Sequence, residues 1–113
     1  MSPITAHVLD TALGRPAAHM AVRLDALEAS GVWITIAEGA TNEDGRVNDL
    51  VISGGLSRQT YRMTFATGPY FEGSGRPVFY PRVEVIFCVD RPAEHHHIPL
   101  LLSPFGYSTY RGS

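Results

Sequence analysis

The chain has 113 residues, a formal net charge of −2 and nine basic residues, all of them arginine. This length predicts one domain, residues 1–113, that can bury a usable core. Because the arginines are dispersed along the sequence, nucleic acid and anionic membrane surfaces are poor candidates for a partner. No apolar stretch approaches the ~20 residues needed to span a membrane, and the N-terminus lacks the regions of a signal peptide. We therefore expect a soluble intracellular protein.

Short alternating segments, separated by turn residues, dominate the sequence. Their spacing of about 8–15 residues and the weak helical period predict an antiparallel β-sandwich. Asp44-Gly45 marks a turn, since this pair readily adopts positive φ. The glycine- and proline-rich stretch Thr67 to Pro77 is predicted as a loop that encloses at most one helical turn. The predicted strands are Ile4 to Leu9, Met20 to Leu27, Val32 to Ala37, Thr60 to Phe65, Val83 to Val89, Ile98 to Leu102 and Tyr107 to Tyr110.

The one cysteine, Cys88, excludes an intramolecular disulfide. It lies within the apolar run from Val83 to Val89. We therefore predict a small buried core residue and not a reactive thiol.

Histidine 7 lies in the middle of the first predicted strand. Strand alternation puts it on the face of Thr5 and Leu9, opposite Ala6 and Val8. An imidazole among apolar neighbours is partly desolvated, which favours its neutral form near pH 7. His7 is therefore a candidate proton acceptor.

The triplet His95-His96-His97 raises the question of a metal site. In a strand, His95 and His97 point to one face and His96 to the other, so three adjacent ligands cannot converge. Two histidines on one face could bind Zn²⁺ only with help from His7 or a carboxylate. We predict no metal, a packed structural role for His96, and a catalytic role for His97, which lies opposite the apolar face.

Two further features stand out near turns and at the end of the sequence. Arg46 directly follows the Asp44-Gly45 turn, where a solvated arginine is the simpler interpretation. The last residues, from Tyr107 to Ser113, are aromatic and follow an apolar strand, whereas chain ends are normally frayed and polar. We expect this tail to dock, either into the sheet or across a subunit interface.

Four blocks of the sequence, together with the tail, resemble the 5-hydroxyisourate hydrolase family, and the similarity extends over essentially the whole chain. The matching blocks are Thr5-Ala6-His7-Val8-Leu9-Asp10 with Gly14-Arg15-Pro16-Ala17, Thr41-Asn42-Glu43-Asp44-Gly45-Arg46, Phe79-Tyr80-Pro81, Glu94 to Pro104, and the terminal Tyr110-Arg111-Gly112-Ser113. The chain departs from the family at His96, where an aromatic residue, usually tyrosine, is typical. Because His96 is predicted to face inward, we interpret this as a packing change.

The resemblance implies the transthyretin-like (prealbumin-like) fold, which is an antiparallel β-sandwich of two four-stranded sheets with a short helix after Phe65. It also implies a homotetramer, a dimer of dimers, whose sites line a channel between the dimers. By position, the family's catalytic residues fall on His7, Arg46, His97 and Ser113. Its substrate-binding residues fall on Arg46 again and on Ser108, Tyr110 and Arg111, with Arg111 also pinning the tail.

The activity that the resemblance implies is hydrolysis of 5-hydroxyisourate, the product of urate oxidation, to 2-oxo-4-hydroxy-4-carboxy-5-ureidoimidazoline. Ring opening needs a base, stabilisation of a carbonyl oxygen and a proton for the leaving nitrogen, and it requires no metal or other cofactor. Either His7 or His97 could be the base. Relatives occur in the cytoplasm, which we expect here, and also in the periplasm and in peroxisomes.

Two other functions compete with this prediction. Transthyretin carries thyroid hormone on the same fold, and fold alone does not fix function. A carrier needs an apolar channel for its ligand. Carriers also lack the residue set that distinguishes the hydrolases, which is His7, Arg46, His97 and the terminal tetrad. The second competitor is a metal-binding or structural module that uses His95 and His97.

Overall fold

The computed structural model describes residues 2–113 as two packed β-sheets and one helix. The helix α1 covers Thr67–Gly73, where the family resemblance implied a short helix. Its seven residues make about two turns, more than the single turn that the glycine- and proline-rich sequence predicted within a loop. The strands are β1 Ile4–Asp10, β2 Arg15–Pro16, β3 Ala21–Leu27, β4 Trp33–Ala40, β5 Arg46–Val47, β6 Thr60–Phe65, β7 Val83–Cys88, β8 His96–Ser103 and β9 Gly106–Thr109.

The first sheet has the order β2-β1-β8-β9, with β5 pairing to β1, and the second has the order β4-β3-β6-β7. The predicted transthyretin-like sandwich is confirmed. The first sheet has five strands, one more than predicted, because the two-residue strand β5 pairs with β1 beside the four-strand path. All strand pairs are antiparallel except β1 and β8, which run parallel. This pairing sets Thr5 opposite His97, so the histidine triplet lies beside the strand that carries His7.

The core lies between the sheets and follows the period of two in each strand. Alternation along β3 sets Val22, Leu24 and Ala26 on one face, and these residues are buried, as is Met20 just before the strand. His96 is also buried, with 4% of its surface exposed, which confirms its predicted inward position. Because successive side chains alternate, the burial of His96 turns His97 toward the outer face of the sheet.

The second sheet differs from the sequence prediction at Cys88 and in the alternation of β4. Cys88 is exposed and not a core residue, because Val85 and Phe87 provide the inward face of β7 and Cys88 falls on the opposite face. In β4 the alternation is broken by a register shift against β3 between Leu24 and Asp25. A bulge of this kind places one extra residue in a strand, so a strict period of two fails there.

A buried carboxylate at the end of β1 connects this strand to the helix. Asp10 has no exposed surface and accepts hydrogen bonds from the Tyr70 hydroxyl at 2.7 Å and from Arg76 Nη2 at 2.6 Å. Burial raises the pKa of Asp10, but the hydrogen bonds from Arg76 and Tyr70 outweigh it and hold the pKa below its usual value. A buried charge with these partners fixes the end of β1 against the segment that follows α1.

Among residues 2–113, no helix is both long and apolar enough to cross a membrane.

Candidate active site

His7 and Arg46 are brought together by the tight turn before β5. Gly45 has a φ of 73°, and a Cβ there would clash with the Val8 carbonyl oxygen, so only glycine fits. The Gly45 carbonyl accepts a hydrogen bond from Val8 N at 2.8 Å, which fastens the turn to β1. Arg46 then pairs with His7 across the strands, so both side chains project from the outer face of the first sheet.

His7 makes one hydrogen bond that fixes its tautomer. Its Nε2 lies 3.0 Å from the carbonyl oxygen of Asp44. A carbonyl oxygen can only accept, so Nε2 of His7 carries the proton and donates it. In the neutral ring, Nδ1 is then the nitrogen with a free lone pair.

His97 lies in a shallow cleft of about 180 Å³ on the same face. Its Nδ1 lies 2.7 Å from Oγ1 of Thr5, the residue opposite it on β1. The cleft is lined by Thr5, Ala6, Arg46, Asn48, His95, His97 and Ser113. Two of the predicted catalytic side chains, Arg46 and His97, therefore share one cavity with the last residue of the sequence.

The tail is docked against the first sheet, which was one of its two predicted positions. Gly112 N donates a hydrogen bond to the His97 carbonyl at 3.0 Å, and the two residues form an isolated antiparallel bridge. A Cβ on Gly112 would lie 2.5 Å from Cδ2 of His97, so the tail backbone packs directly on the imidazole. This contact carries Ser113 into the cleft.

The surroundings of both histidines lower the pKa of the imidazole, which favours its neutral form near pH 7. Burial lowers the pKa of His97, and the positive charge of Arg46 lowers it further, with smaller contributions from His7 and His95. Burial also lowers the pKa of His7, again helped by Arg46, while the hydrogen bond to Asp44 opposes the shift. Neutral imidazoles beside a guanidinium can accept protons from a bound water, while the guanidinium stabilises negative charge on an oxygen.

Comparison with known proteins identifies the family. The profile of the HIUase/Transthyretin family matches residues 4–112. The chain belongs to this family. It is 44% identical over 113 residues to the mouse protein named 5-hydroxyisourate hydrolase, covering 99% of this chain and 96% of that protein.

Two solved structures in this family have the same fold as the chain. The Klebsiella pneumoniae 5-hydroxyisourate hydrolase superposes with a TM-score of 0.85 at 34% identity, covering all of both chains. Sea bream transthyretin, solved in complex with thyroxine, superposes with a TM-score of 0.91 at 32% identity, covering 97% of this chain and 94% of its own. The same fold is thus found in a protein named as a hydrolase and in a transthyretin solved with a bound hormone.

Three residues predicted to bind substrate do not line this cleft within the single chain. Tyr110 and Arg111 line a larger cavity of about 540 Å³, which His96 and Phe87 also line. Arg111 Nη2 donates to Glu94 Oε1 at 3.1 Å, which is consistent with its predicted role of pinning the tail. Ser108 lies on β9, where it pairs with Leu101 and is exposed.

Three residues that line the cleft had no predicted role in the active site, namely Thr5, Asn48 and His95. Alternation in β1 had placed Thr5 on the face of His7, and the same period places Asn48 with Arg46. His95 had been placed on the face of His97 as a candidate metal ligand. Among residues 2–113, the structure contains no group of three or more His, Cys, Asp or Glu side chains positioned to hold a metal ion.

Proposed function

We propose that this chain hydrolyses 5-hydroxyisourate, opening its six-membered ring to give 2-oxo-4-hydroxy-4-carboxy-5-ureidoimidazoline. The observation that carries the proposal is the cleft in which Arg46 and His97 meet. A neutral imidazole and a guanidinium are the groups that water addition to a carbonyl needs. The names of the mouse and Klebsiella relatives support this substrate.

In the proposed reaction His97 is the general base. Of the two histidines, only His97 lines the cleft with Arg46, and in the described chain its Nε2 makes no protein hydrogen bond. Water gives a proton to Nε2 of His97 as its oxygen bonds to the ring carbonyl carbon. Arg46 stabilises the resulting oxyanion by paired donors. The C–N bond then breaks, and the leaving nitrogen takes the proton from His97.

The remaining site residues have supporting roles in this proposal. His7 orients the water or the substrate through Nδ1, and Ser113 hydrogen-bonds the substrate within the cleft. Tyr110 and Ser108 would contact substrate from the walls of a channel between subunits. That arrangement requires the homotetramer that the family resemblance implies, with residues 1–113 acting as one domain in each subunit. Sedimentation equilibrium of the purified protein tests it, since a monomer would leave these contacts without a channel.

The second candidate function is carriage of a small aromatic ligand. It is favoured by the close superposition with sea bream transthyretin, which was solved with thyroxine. Two neutral histidines and a guanidinium on the outer face of the first sheet argue against it, because a hormone of this kind calls for apolar walls.

The experiment that tests the proposal is spectrophotometric. Urate oxidase generates 5-hydroxyisourate from urate, and the ultraviolet decay of that intermediate is followed with and without this protein. We expect decay well above the spontaneous rate. Decay at the spontaneous rate from folded protein would refute the proposal, and calorimetric titration with thyroxine would then test the carrier function.

A further inference from the structure

Thr5 lies between two imidazoles in the candidate active site. Only 5% of its surface is exposed, and its Oγ1 lies 2.7 Å from Nδ1 of His97 and 3.0 Å from Nε2 of His95. The two rings are nearly parallel, with 20° between their planes and 6.4 Å between their centroids. The parallel pairing of β1 with β8 produces this arrangement, because it sets Thr5 opposite His97.

A hydroxyl has one hydrogen, so Thr5 can donate to only one of the two rings. If it donates to Nδ1 of His97, the neutral His97 ring must carry its proton on Nε2. That ring could not accept another proton at Nε2. If Thr5 instead accepts from Nδ1–H of His97 and donates to His95, then Nε2 of His97 keeps a free lone pair.

The surroundings of His97 favour the second direction. Arg46 lines the same cleft, and its positive charge favours a lone pair over an N–H group on the nitrogen left to that cleft. His95 is exposed, so water can satisfy its Nδ1–H while Nε2 accepts from Thr5. The backbone of Gly112 packs on the Cδ2 edge of the His97 ring, which hinders the ring flip that would exchange the positions of Nδ1 and Cδ2.

We propose that the Thr5 hydroxyl, turned toward His95, holds His97 in the neutral tautomer with its proton on Nδ1. This inference rests on the proposed hydrolysis, in which Nε2 of His97 takes the proton of the attacking water. Uptake of that proton leaves the bond from Nδ1–H to Thr5 intact, so the hydrogen-bond network does not reorganise during the step. Thr5 is therefore a positioning residue that acts through His97, because its hydroxyl is engaged by the two imidazoles.

Replacement of Thr5 by valine removes the hydroxyl at nearly constant shape, while replacement by serine keeps it. In metal sites, where a hydrogen-bond partner likewise fixes the tautomer and orientation of an imidazole, loss of that partner typically costs about 10–100-fold in activity. By analogy, we expect Thr5→Val to lower kcat by a factor in this range. KM should hardly change, because Thr5 acts only through His97. Thr5→Ser should recover most of kcat. The matched control is Thr60→Val on β6, which lies in the other sheet and should behave as wild type.

Nitrogen-15 NMR of the imidazoles reads the tautomer directly and needs no catalysis. We expect neutral His97 to carry its proton on Nδ1 in the wild type and in Thr5→Ser, and to lose this preference in Thr5→Val. A wild-type His97 protonated on Nε2 would overturn the proposal even if Thr5→Val did not fold. Full kcat in a folded Thr5→Val variant would overturn it as well. A wild type without hydrolase activity would count against the proposed function alone, because the NMR result would still report on Thr5.

Discussion

Replacement of Gly112 by alanine should damage the candidate site without altering any side chain that touches substrate. The added Cβ would lie 2.5 Å from Cδ2, 3.1 Å from Cγ and 3.3 Å from Cβ of His97. Ordinary carbon contacts begin near 3.4 Å, so the ring or the tail must move by roughly 0.9 Å. The φ of Gly112 is not in the left-handed region, so the effect comes from contact and not from backbone strain.

The size of the effect follows from the need for accurate placement. A misplacement of about 1 Å at a reacting group can cost 10²-fold in rate. We therefore expect kcat/KM for 5-hydroxyisourate to fall by about two orders of magnitude in Gly112→Ala. The measurement is the ultraviolet decay of the substrate at several concentrations, with circular dichroism to confirm that the sandwich is folded.

Gly106→Ala is the matched control for this variant. Gly106 also lies near the end of the chain and begins β9, but a Cβ there has only Ser103 Oγ nearby, at 3.8 Å. Its activity should equal that of the wild type. Wild-type kcat/KM in Gly112→Ala would mean that neither the tail nor the His97 ring needs its observed position, contrary to this prediction.

Two further predictions concern charge. Burial and then Arg46 lower the pKa of both His7 and His97, so activity that needs neutral His97 should be lost as the pH falls through this lowered pKa. Arg46→Gln removes the positive charge, so it should raise the pKa of His97 and move the acid limb of kcat/KM to higher pH. It should also lower kcat by about 10²–10³-fold through loss of oxyanion stabilisation. An acid limb that does not move would show that Arg46 does not lower the pKa of His97. Asp10→Ala should cost about 3–5 kcal/mol in urea unfolding, because it leaves the largely buried guanidinium of Arg76 without its carboxylate partner. A loss of only about 1 kcal/mol, as expected for an exposed ion pair, would refute this. The exposed Asp90→Ala control should cost at most about 1 kcal/mol.

The wild-type carboxylate also makes stability depend on pH. Asp10 has a pKa below its usual value in the folded protein, so its contribution is present at neutral pH. That contribution should be lost as the pH falls through the lowered pKa, because the folded protein then takes up the proton.

The period of two made much of the fold predictable from the sequence. Alternation sets Val22, Leu24 and Ala26 on one face of β3, which is the buried face, and the same rule put His97 on the face opposite His96. The prediction of a buried Cys88 was wrong because the alternation within its own strand was not applied to it. The inward positions of β7 belong to its odd-numbered residues, from Val83 to Phe87.

Other features depend on contacts that no local pattern reports. The strands β2 and β5 have two residues each, too few to show a period. The bulge between β3 and β4 breaks the alternation only where the two strands meet. The tail leaves the sheet after Thr109, so periodicity could not predict that Ser113 enters the cleft while Tyr110 lines a different cavity.

The hydrogen bond between Thr5 and His97 follows from tertiary pairing. These residues are 92 positions apart and become neighbours through the parallel contact of β1 with β8. The sequence alone placed each on the outer face of its strand. It could not show that the two strands are adjacent or that their register sets one residue opposite the other.

In the proposed function His97, in the cleft with Arg46, is the general base for the hydrolysis of 5-hydroxyisourate. The most direct test compares kcat/KM for this substrate in the wild type, in His97→Ala and in His96→Tyr, a neighbour that faces the interior. We expect a loss of about 10²–10⁴-fold for His97→Ala, the usual contribution of a general base, and wild-type activity for His96→Tyr. A folded His97→Ala variant with full activity would contradict this role of His97.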